Sequence, residues 1–72
     1  MERYQNLSGN SSITYFEIND TSITIWFKGA TKTYTYSYSK AGRLHVEQMK
    51  ELAFNGSGLS AYITRHVKKL YD

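Results

Sequence analysis

Apolar and polar residues alternate strictly in two neighbouring stretches of the chain. In residues 22–28 the odd positions are Ile, Ile and Phe, and in residues 33–38 the even positions are all Tyr. Such alternation of β-branched and aromatic residues predicts two half-buried antiparallel strands joined by a loop at 29–32. This loop would place every apolar residue on one face through three cross-strand pairs: Phe27 with Tyr34, Ile25 with Tyr36, and Ile23 with Tyr38.

An earlier strand is predicted over residues 12–18, although its apolar positions are unevenly spaced. Ile13, Phe16 and Ile18 lie three and then two positions apart. Because side chains of a strand alternate between its faces, all three can face inward only if an extra residue is accommodated. We therefore expect a β-bulge at positions 14–15.

The hydrophobic period becomes helical after residue 39. Val46, Met49 and Ala53 share one stripe of a first predicted helix. The Asn-Gly-Ser-Gly run at 55–58 ends that helix, and Gly56 suits the left-handed conformation that follows many helix ends.

A second helix is predicted from residue 59 onward. Its apolar stripe consists of Leu59, Ile63, His66 and Leu70, so we expect His66 to be a core histidine. The sheet and both helices each have one apolar side, and packing the helices on the sheet buries all three. The predicted fold class is α+β, a three-stranded antiparallel β-meander with two C-terminal helices packed on one face (β-β-β-α-α).

The length of 72 residues is that of one small domain. Residues 1–7 precede a polar, turn-forming run and are expected to be an N-terminal arm, with the domain spanning residues 8–72. The chain has no cysteine, which excludes disulfides, and no spacing of ligands indicates a metal or other cofactor. No apolar stretch is long enough to cross a bilayer, so we expect a cytoplasmic protein without membrane contact. We expect the domain to be a monomer or a weak homodimer.

Basic residues are unevenly distributed along the chain. Residues 21–40 contain three Lys and no acidic residue, whereas residues 1–20 have one Arg against three acids. Trp26 lies among these lysines, on the polar face of its strand. It is expected either to stack on a ligand or to be covered by the N-terminal arm through Tyr4 or Leu7. The first alternative predicts a nucleic-acid-binding patch made of Trp26, Lys28, Lys32 and Lys40.

A second basic strip is predicted on the last helix, at Arg65, Lys68 and Lys69. These residues belong either to a solvated helix face or to a phosphate-binding surface. Tyr34 and Tyr36 are expected in the core, because they share a face with the apolar residues of the preceding strand. No pairing of histidine, serine and carboxylate indicates a nucleophile or a general base, so catalysis is not expected.

The order of these features resembles that of the KTSC domain family. The matching residues are Ser-Ser-Ile at 11–13, Ile23-x-Ile25-x-Phe27, Gly29, Tyr34-x-Tyr36, Val46, Leu52-Ala53, Gly58-Leu59, Tyr62-Ile63 and Leu70-Tyr71. The resemblance covers roughly residues 8–71 and implies a small bacterial or phage module, which also occurs at the C-terminus of some lysyl-tRNA synthetases. Binding of RNA or DNA is the function that this resemblance suggests. Together with the basic residues and the missing catalytic groups, it leads us to predict a small non-enzymatic domain that binds nucleic acid, RNA more than DNA. The alternative is a protein-interaction or self-associating module that uses the Trp26 face or an edge strand.

Overall fold

The computed structural model describes all 72 residues, which form a four-stranded sheet followed by helices. The strands are β1 (Glu2–Arg3), β2 (Ile13–Asn19), β3 (Ser22–Phe27) and β4 (Tyr34–Ser37), and they lie in chain order with antiparallel neighbours. Helix α1 (Arg43–Asn55) and helix α2 (Leu59–Tyr62) follow, and α2 continues directly into a π-helical turn, Ile63–Val67. The α+β class, the antiparallel sheet and the helices after the strands are confirmed. The predicted number of strands, three, is wrong.

The additional strand lies within the segment that was predicted as an arm. β1 pairs with β2 beside the bulge, and its two residues are too few to show any hydrophobic period. The ring of Tyr4 is buried, and its hydroxyl accepts a hydrogen bond from the Leu59 backbone N–H at 3.3 Å. The Leu7 N–H donates to the Gly56 carbonyl at 2.7 Å. The first seven residues therefore contact both the sheet and the helices.

The predicted β-bulge is confirmed in β2. Ile13 pairs with Phe27 and Tyr15 pairs with Trp26, so β2 advances by two positions where β3 advances by one. The extra residue is Thr14, whose hydroxyl donates to the Trp26 carbonyl at 3.1 Å. The bulge keeps Ile13 in the core while it turns Tyr15 to the opposite face.

The predicted register between β3 and β4 is wrong by two residues. Ile25 pairs with Tyr34 and Ile23 pairs with Tyr36, so the connecting segment is longer than four residues. A shift of two residues leaves every side chain on the same face, because the strand period is two. The pattern of apolar positions could therefore predict the face but could not distinguish between these two registers.

Helix α1 packs on the sheet with the stripe that its sequence predicts. Val46, Met49 and Ala53 are its buried residues. The helix ends at Gly56, which has φ +80° and donates its N–H to the Leu52 carbonyl at 3.0 Å. The predicted left-handed C-cap is confirmed.

The predicted stripe of the second helix is wrong at His66, which is exposed, while Val67 is fully buried. The cause is the π-helical turn, whose hydrogen bonds span five residues and whose turns therefore hold more residues than those of an α-helix. Positions that a regular helix would direct inward are displaced around the axis, so Val67 takes the inward place. Leu70 is also exposed.

The helices cover one face of the sheet and leave the other face open. Thirteen apolar residues form one buried cluster, to which every strand of β2–β4 and both helices contribute. The chain end lies along β4, where Asp72 N–H donates to the Thr35 carbonyl and the Ser37 hydroxyl donates to the Asp72 carboxylate, both at 2.7 Å. None of the helices has the length and apolar character that crossing a bilayer requires.

Candidate functional site

The open face of the sheet, the one opposite the helices, carries two aromatic side chains side by side. Tyr15 of β2 is the register partner of Trp26 of β3, and Arg3 of β1 is the partner of Tyr15. Lys28 lies two positions beyond Trp26, and alternation places it on the same face. We call Arg3, Tyr15, Trp26 and Lys28 the aromatic row. It places one cationic side chain beside each ring, with Arg3 across the sheet from Tyr15 and Lys28 along the chain from Trp26.

Local structure explains why these residues meet. Without the bulge, Tyr15 would face the core, and the Thr14 hydroxyl on the Trp26 carbonyl fixes the position of the extra residue. Beyond the end of β3, the Lys28 N–H donates to the Ser12 carbonyl at 2.7 Å. This bond continues the pairing and holds the Lys28 backbone in line with the strand.

The two rings of the aromatic row are not engaged by other rings of the protein. All close ring pairs of the molecule lie elsewhere, chiefly around Tyr34 and around His45. Tyr15 is 40% exposed and Trp26 is half-buried. The expected cover from the N-terminal segment is not found, because Tyr4 contacts the helical layer and Leu7 bonds to the end of α1. The outer surfaces of the two rings remain accessible.

A second row of the open face lies next to the aromatic row. Glu17 is two positions from Tyr15 on β2, and its carboxylate is 3.5 Å from the amino group of Met1. Its register partner is Thr24, whose hydroxyl is 2.9 Å from that of Thr35 and bonds to it. Asp72 lies further from the aromatic row, bound to Ser37. The aromatic row thus carries two cations, and the carboxylate beside it is paired with the amino group of Met1.

A polar cleft adjoins the aromatic row on the β1 side. It has a volume of about 490 Å³ and is lined by Arg3, Gln5, Asn6, Thr14 and Tyr15, among others. The loop beside it is fixed by Asn6, whose side chain donates to the Ser11 carbonyl and accepts from the Ser11 N–H. A polymer lying across the two rings would have space to continue into this cleft.

The structure brings together only two of the seven residues predicted for binding. Trp26 and Lys28 share the aromatic row. Lys32 lies on the helix-facing side of the sheet, with its ammonium 5.0 Å from the Tyr34 ring centroid and 5.3 Å from that of Tyr71.

The other four predicted residues lie further away. Lys40 is in the turn before α1, beyond the end of β4 that is remote from Trp26. Arg65, in the π-helical turn, and Lys68 and Lys69, directly after it, are exposed in the helical layer. These three belong to the opposite side of the molecule from the aromatic row.

Two residues of the aromatic row were not predicted from the sequence. Tyr15 could have been found from the predicted bulge, since a bulge that keeps both Ile13 and Phe16 inward turns Tyr15 outward. Arg3 could not, because β1 has no pattern that places it beside β2.

A polar cluster links the end of β4 to α1 at the rim. The Tyr38 hydroxyl donates to the Glu47 carboxylate, and the Lys50 ammonium lies 3.0 Å from the same oxygen. The hydrogen bond from Tyr38, followed by that from Lys50, lowers the pKa of Glu47. The same bond to Glu47 is the main cause that raises the pKa of Tyr38. Glu47 is exposed and Tyr38 is half-buried, so this cluster joins two elements without forming an enclosed site.

Two histidines meet on the surface of the helical layer. The rings of His45 and His66 stack with their centroids 5.7 Å apart, and His45 Nδ1 is 2.7 Å from the Tyr62 hydroxyl. No group of three His, Cys, Asp or Glu side chains is placed to hold a metal ion.

Comparison with known proteins finds no matching family model, no matching curated protein and no matching solved structure. The resemblance to the KTSC family stays a prediction.

Proposed function

We propose that this domain is a non-enzymatic binding module whose open face binds single-stranded nucleic acid, RNA in preference to DNA. The observation that carries the proposal is the aromatic row, with Tyr15 and Trp26 adjacent on the uncovered face and a cation on each side. Aromatic side chains on an uncovered sheet are the usual platform on which unpaired bases stack.

Stacking on the rings would supply most of the affinity. Each base stacked on an aromatic side chain contributes roughly 1–3 kcal/mol, with little dependence on which base it is. Arg3 and Lys28 would each contact a phosphate, so the logarithm of the affinity should fall with that of the salt concentration with a slope of about −0.7 per contact. Two phosphate contacts therefore predict a slope of about −1.4, which is a modest dependence on salt.

Single strands fit this face better than duplexes. The bases of a duplex are stacked on each other, and their faces are inaccessible to Tyr15 and Trp26. The order of RNA before DNA is our own prediction from the sequence and needs a separate test with oligonucleotides of one sequence in both chemistries.

The direct test measures the affinity of short single-stranded RNA for wild-type protein and for Trp26→Ala, by fluorescence anisotropy of a labelled oligonucleotide at low salt. Loss of one stacking partner should weaken binding by about 5- to 150-fold, the equivalent of 1–3 kcal/mol. Tyr15→Ala should weaken it comparably. Lys40→Gln is the matched control, since it removes a predicted cation that lies away from the row, and it should change affinity less than twofold. Equal affinity of Trp26→Ala and wild type would overturn the proposal.

A second proposal is self-association or contact with another protein through the same row. Aromatic residues and arginine are typical of the centres of protein interfaces, and the row contains both. The edge strands support this less well, because β1 has two residues and the outer side of β4 is bonded to Asp72. Analytical ultracentrifugation distinguishes the two proposals: concentration-dependent dimers that are insensitive to salt and lost in Trp26→Ala would favour the protein partner.

A further inference from the structure

A smaller cleft lies on the helix side of the sheet, away from the aromatic row. It has a volume of about 320 Å³, which is at the lower end of the range for small-molecule sites. It opens between the β3–β4 connection and the second helix, and its lining includes Ser12, Phe27, Tyr34, Tyr36, Ile63 and Lys68. The prediction of a binding patch on the open face does not involve this cleft.

The walls of the cleft are flat and aromatic. The rings of Phe27 and Tyr34 meet edge to face, with their centroids 5.4 Å apart. Tyr71 packs against the Tyr34 ring at 4.8 Å, again edge to face, and fixes its orientation. Ile63 of the π-helical turn lines the cleft from the helix side. These surfaces are complementary to a planar ring.

One polar group in the cleft has no partner within the protein. Tyr36 is 1% exposed, yet its hydroxyl makes no hydrogen bond to another protein group, and no wholly enclosed polar side-chain atom lacks a partner. The hydroxyl must therefore reach the cleft, which Tyr36 lines. Burial, with smaller contributions from Tyr34 and Tyr71, raises the pKa of Tyr36 to about 12. At neutral pH the hydroxyl is therefore protonated and can donate a hydrogen bond to an occupant of the cleft.

The charge at the cleft is positive. Lys68 lines it directly, and Lys32 lies over the Tyr34 and Tyr71 rings nearby. No acidic residue contributes to the lining. An anionic group on a ligand would thus be attracted to Lys68 without repulsion from a neighbouring carboxylate.

We propose that this cleft, named here the tyrosine cleft, binds a small planar aromatic anion. The ring of the ligand lies against Phe27 and Tyr34, the Tyr36 hydroxyl donates to an acceptor atom of the ligand, and Lys68 pairs with its anionic group. Two kinds of molecule share this chemistry, aromatic carboxylates and nucleoside monophosphates. This site goes beyond the proposed nucleic-acid binding and uses none of its residues.

The test is an NMR titration of isotope-labelled protein with benzoate and with uridine monophosphate, each beside its uncharged counterpart, benzamide or uridine. Binding of at least one anion should shift the amide signals of Ile63 and its neighbours more than those of Tyr15 and Trp26. Binding of benzoate alone would assign a carboxylate ligand, and binding of uridine monophosphate alone would assign a nucleotide.

Two variants test the named contacts. Tyr36→Phe keeps the ring and removes a hydroxyl that bonds to no protein group, so it should fold normally and bind the anion about three- to tenfold more weakly. Lys68→Gln should weaken binding about tenfold and remove the advantage of the anion over its uncharged counterpart. Lys69→Gln, which removes a neighbouring charge outside the cleft, should have no effect.

The proposal is overturned if neither anion shifts the cleft signals at millimolar concentration, or if the uncharged molecules bind equally well. It is also overturned if both Tyr36→Phe and Lys68→Gln bind as wild type does. Trp26→Ala separates the two sites, because it should weaken RNA binding as described above while anion binding in the tyrosine cleft is retained.

Discussion

The two faces of the sheet are built from the same strands but differ in every property that matters for function. On the covered face, Ile23, Ile25 and Tyr36 are almost inaccessible to solvent. On the open face, Tyr15 and Trp26 retain accessible rings. Stability is thus concentrated on one face, and the side chains of the other face are not needed to form the core.

Aromatic residues occur on both faces, and their surroundings distinguish them. Around Tyr34, three rings meet edge to face and fill space between the sheet and the chain end. The open-face rings have no such partners and are flanked by cations instead. The number of tyrosines in the chain therefore says little about binding until each one is assigned to a face.

The largest expected difference between the faces is in the free energy of unfolding. Ile25→Ala removes a fully buried side chain and should destabilise the domain by about 2–5 kcal/mol, much of the stability of a chain this small. Thr24→Ala, on the same strand but on the open face, loses one hydroxyl bond to Thr35 and should cost about 1 kcal/mol. Urea denaturation measures both, and equal effects would contradict the conclusion that stability is concentrated on the covered face.

A glycine substitution tests how firmly the first residues of the chain are packed against the end of α1. A Cβ added to Gly56 would lie 2.7 Å from Gln5 Cβ, whereas one added to Gly29 meets no atom within 4 Å. Both residues have positive φ, so each Ala variant carries backbone strain of about 1 kcal/mol. Gly56→Ala should cost about 1 kcal/mol more than Gly29→Ala, because residues near Gln5 must move.

Thermal or chemical unfolding of the two glycine variants gives this difference directly. Weakened protection of the Tyr4 amide from hydrogen exchange in Gly56→Ala alone would locate the damage. If both variants lose the same stability, the close packing of the first residues on the end of α1 is not important to the fold.

A pair of tyrosine variants compares the faces at the level of one hydroxyl. Tyr4→Phe leaves the buried Leu59 N–H without its acceptor and should destabilise the domain by about 1 kcal/mol. Tyr15→Phe removes an exposed hydroxyl for which the structure shows no partner, and it should leave stability unchanged. Denaturation midpoints decide between these outcomes, and loss of stability in Tyr15→Phe would show that the open face also supports the fold.

The smallest effect is expected at the rim, where Tyr38 and Lys50 surround Glu47. Because the folded state lowers the pKa of Glu47, its contribution to stability is present above the ordinary carboxyl pKa and is lost as the pH falls through the lowered value. NMR titration should give Glu47 a pKa below the ordinary glutamate value, and Tyr38→Phe should move it towards the ordinary range. An unchanged pKa in Tyr38→Phe would mean that the hydrogen bond does not form in solution.

Features with a clear hydrophobic period could be predicted from the sequence. The inward positions of β3 and the stripe of α1 follow from periods of two and of about 3.6 residues. The bulge in β2 could be predicted because only an extra residue reconciles the spacing of Ile13 and Phe16. In each case, burial of apolar surface by one face decides the structure.

The remaining features depend on contacts that no local pattern encodes. β1 is two residues long and forms because Tyr4 finds a place in the core. Strands β3 and β4 could pair in two registers that differ by two residues, and both registers place the same side chains on each face of the sheet. In the π-helical turn, Val67 takes the buried position that was predicted for His66. A regular helical period cannot predict this, because it assumes one type of helix throughout. Half of the site was predicted for the same reason. Trp26 and Lys28 are two positions apart in the sequence, whereas Arg3 and Tyr15 come from other strands.

The π-helical turn also determines in which direction around the helix axis the residues after it point. A regular helix advances about 100° per residue, so one surplus residue in the turn rotates the rest of the chain around the axis by about that amount. The contact of Tyr71 with Tyr34, and of Asp72 with β4, depends on that rotation. Deletion or insertion of a single residue between Ile63 and Val67 would therefore turn the chain end away from β4 and towards solvent. The far edge of the sheet would lose its contacts with Tyr71 and Asp72.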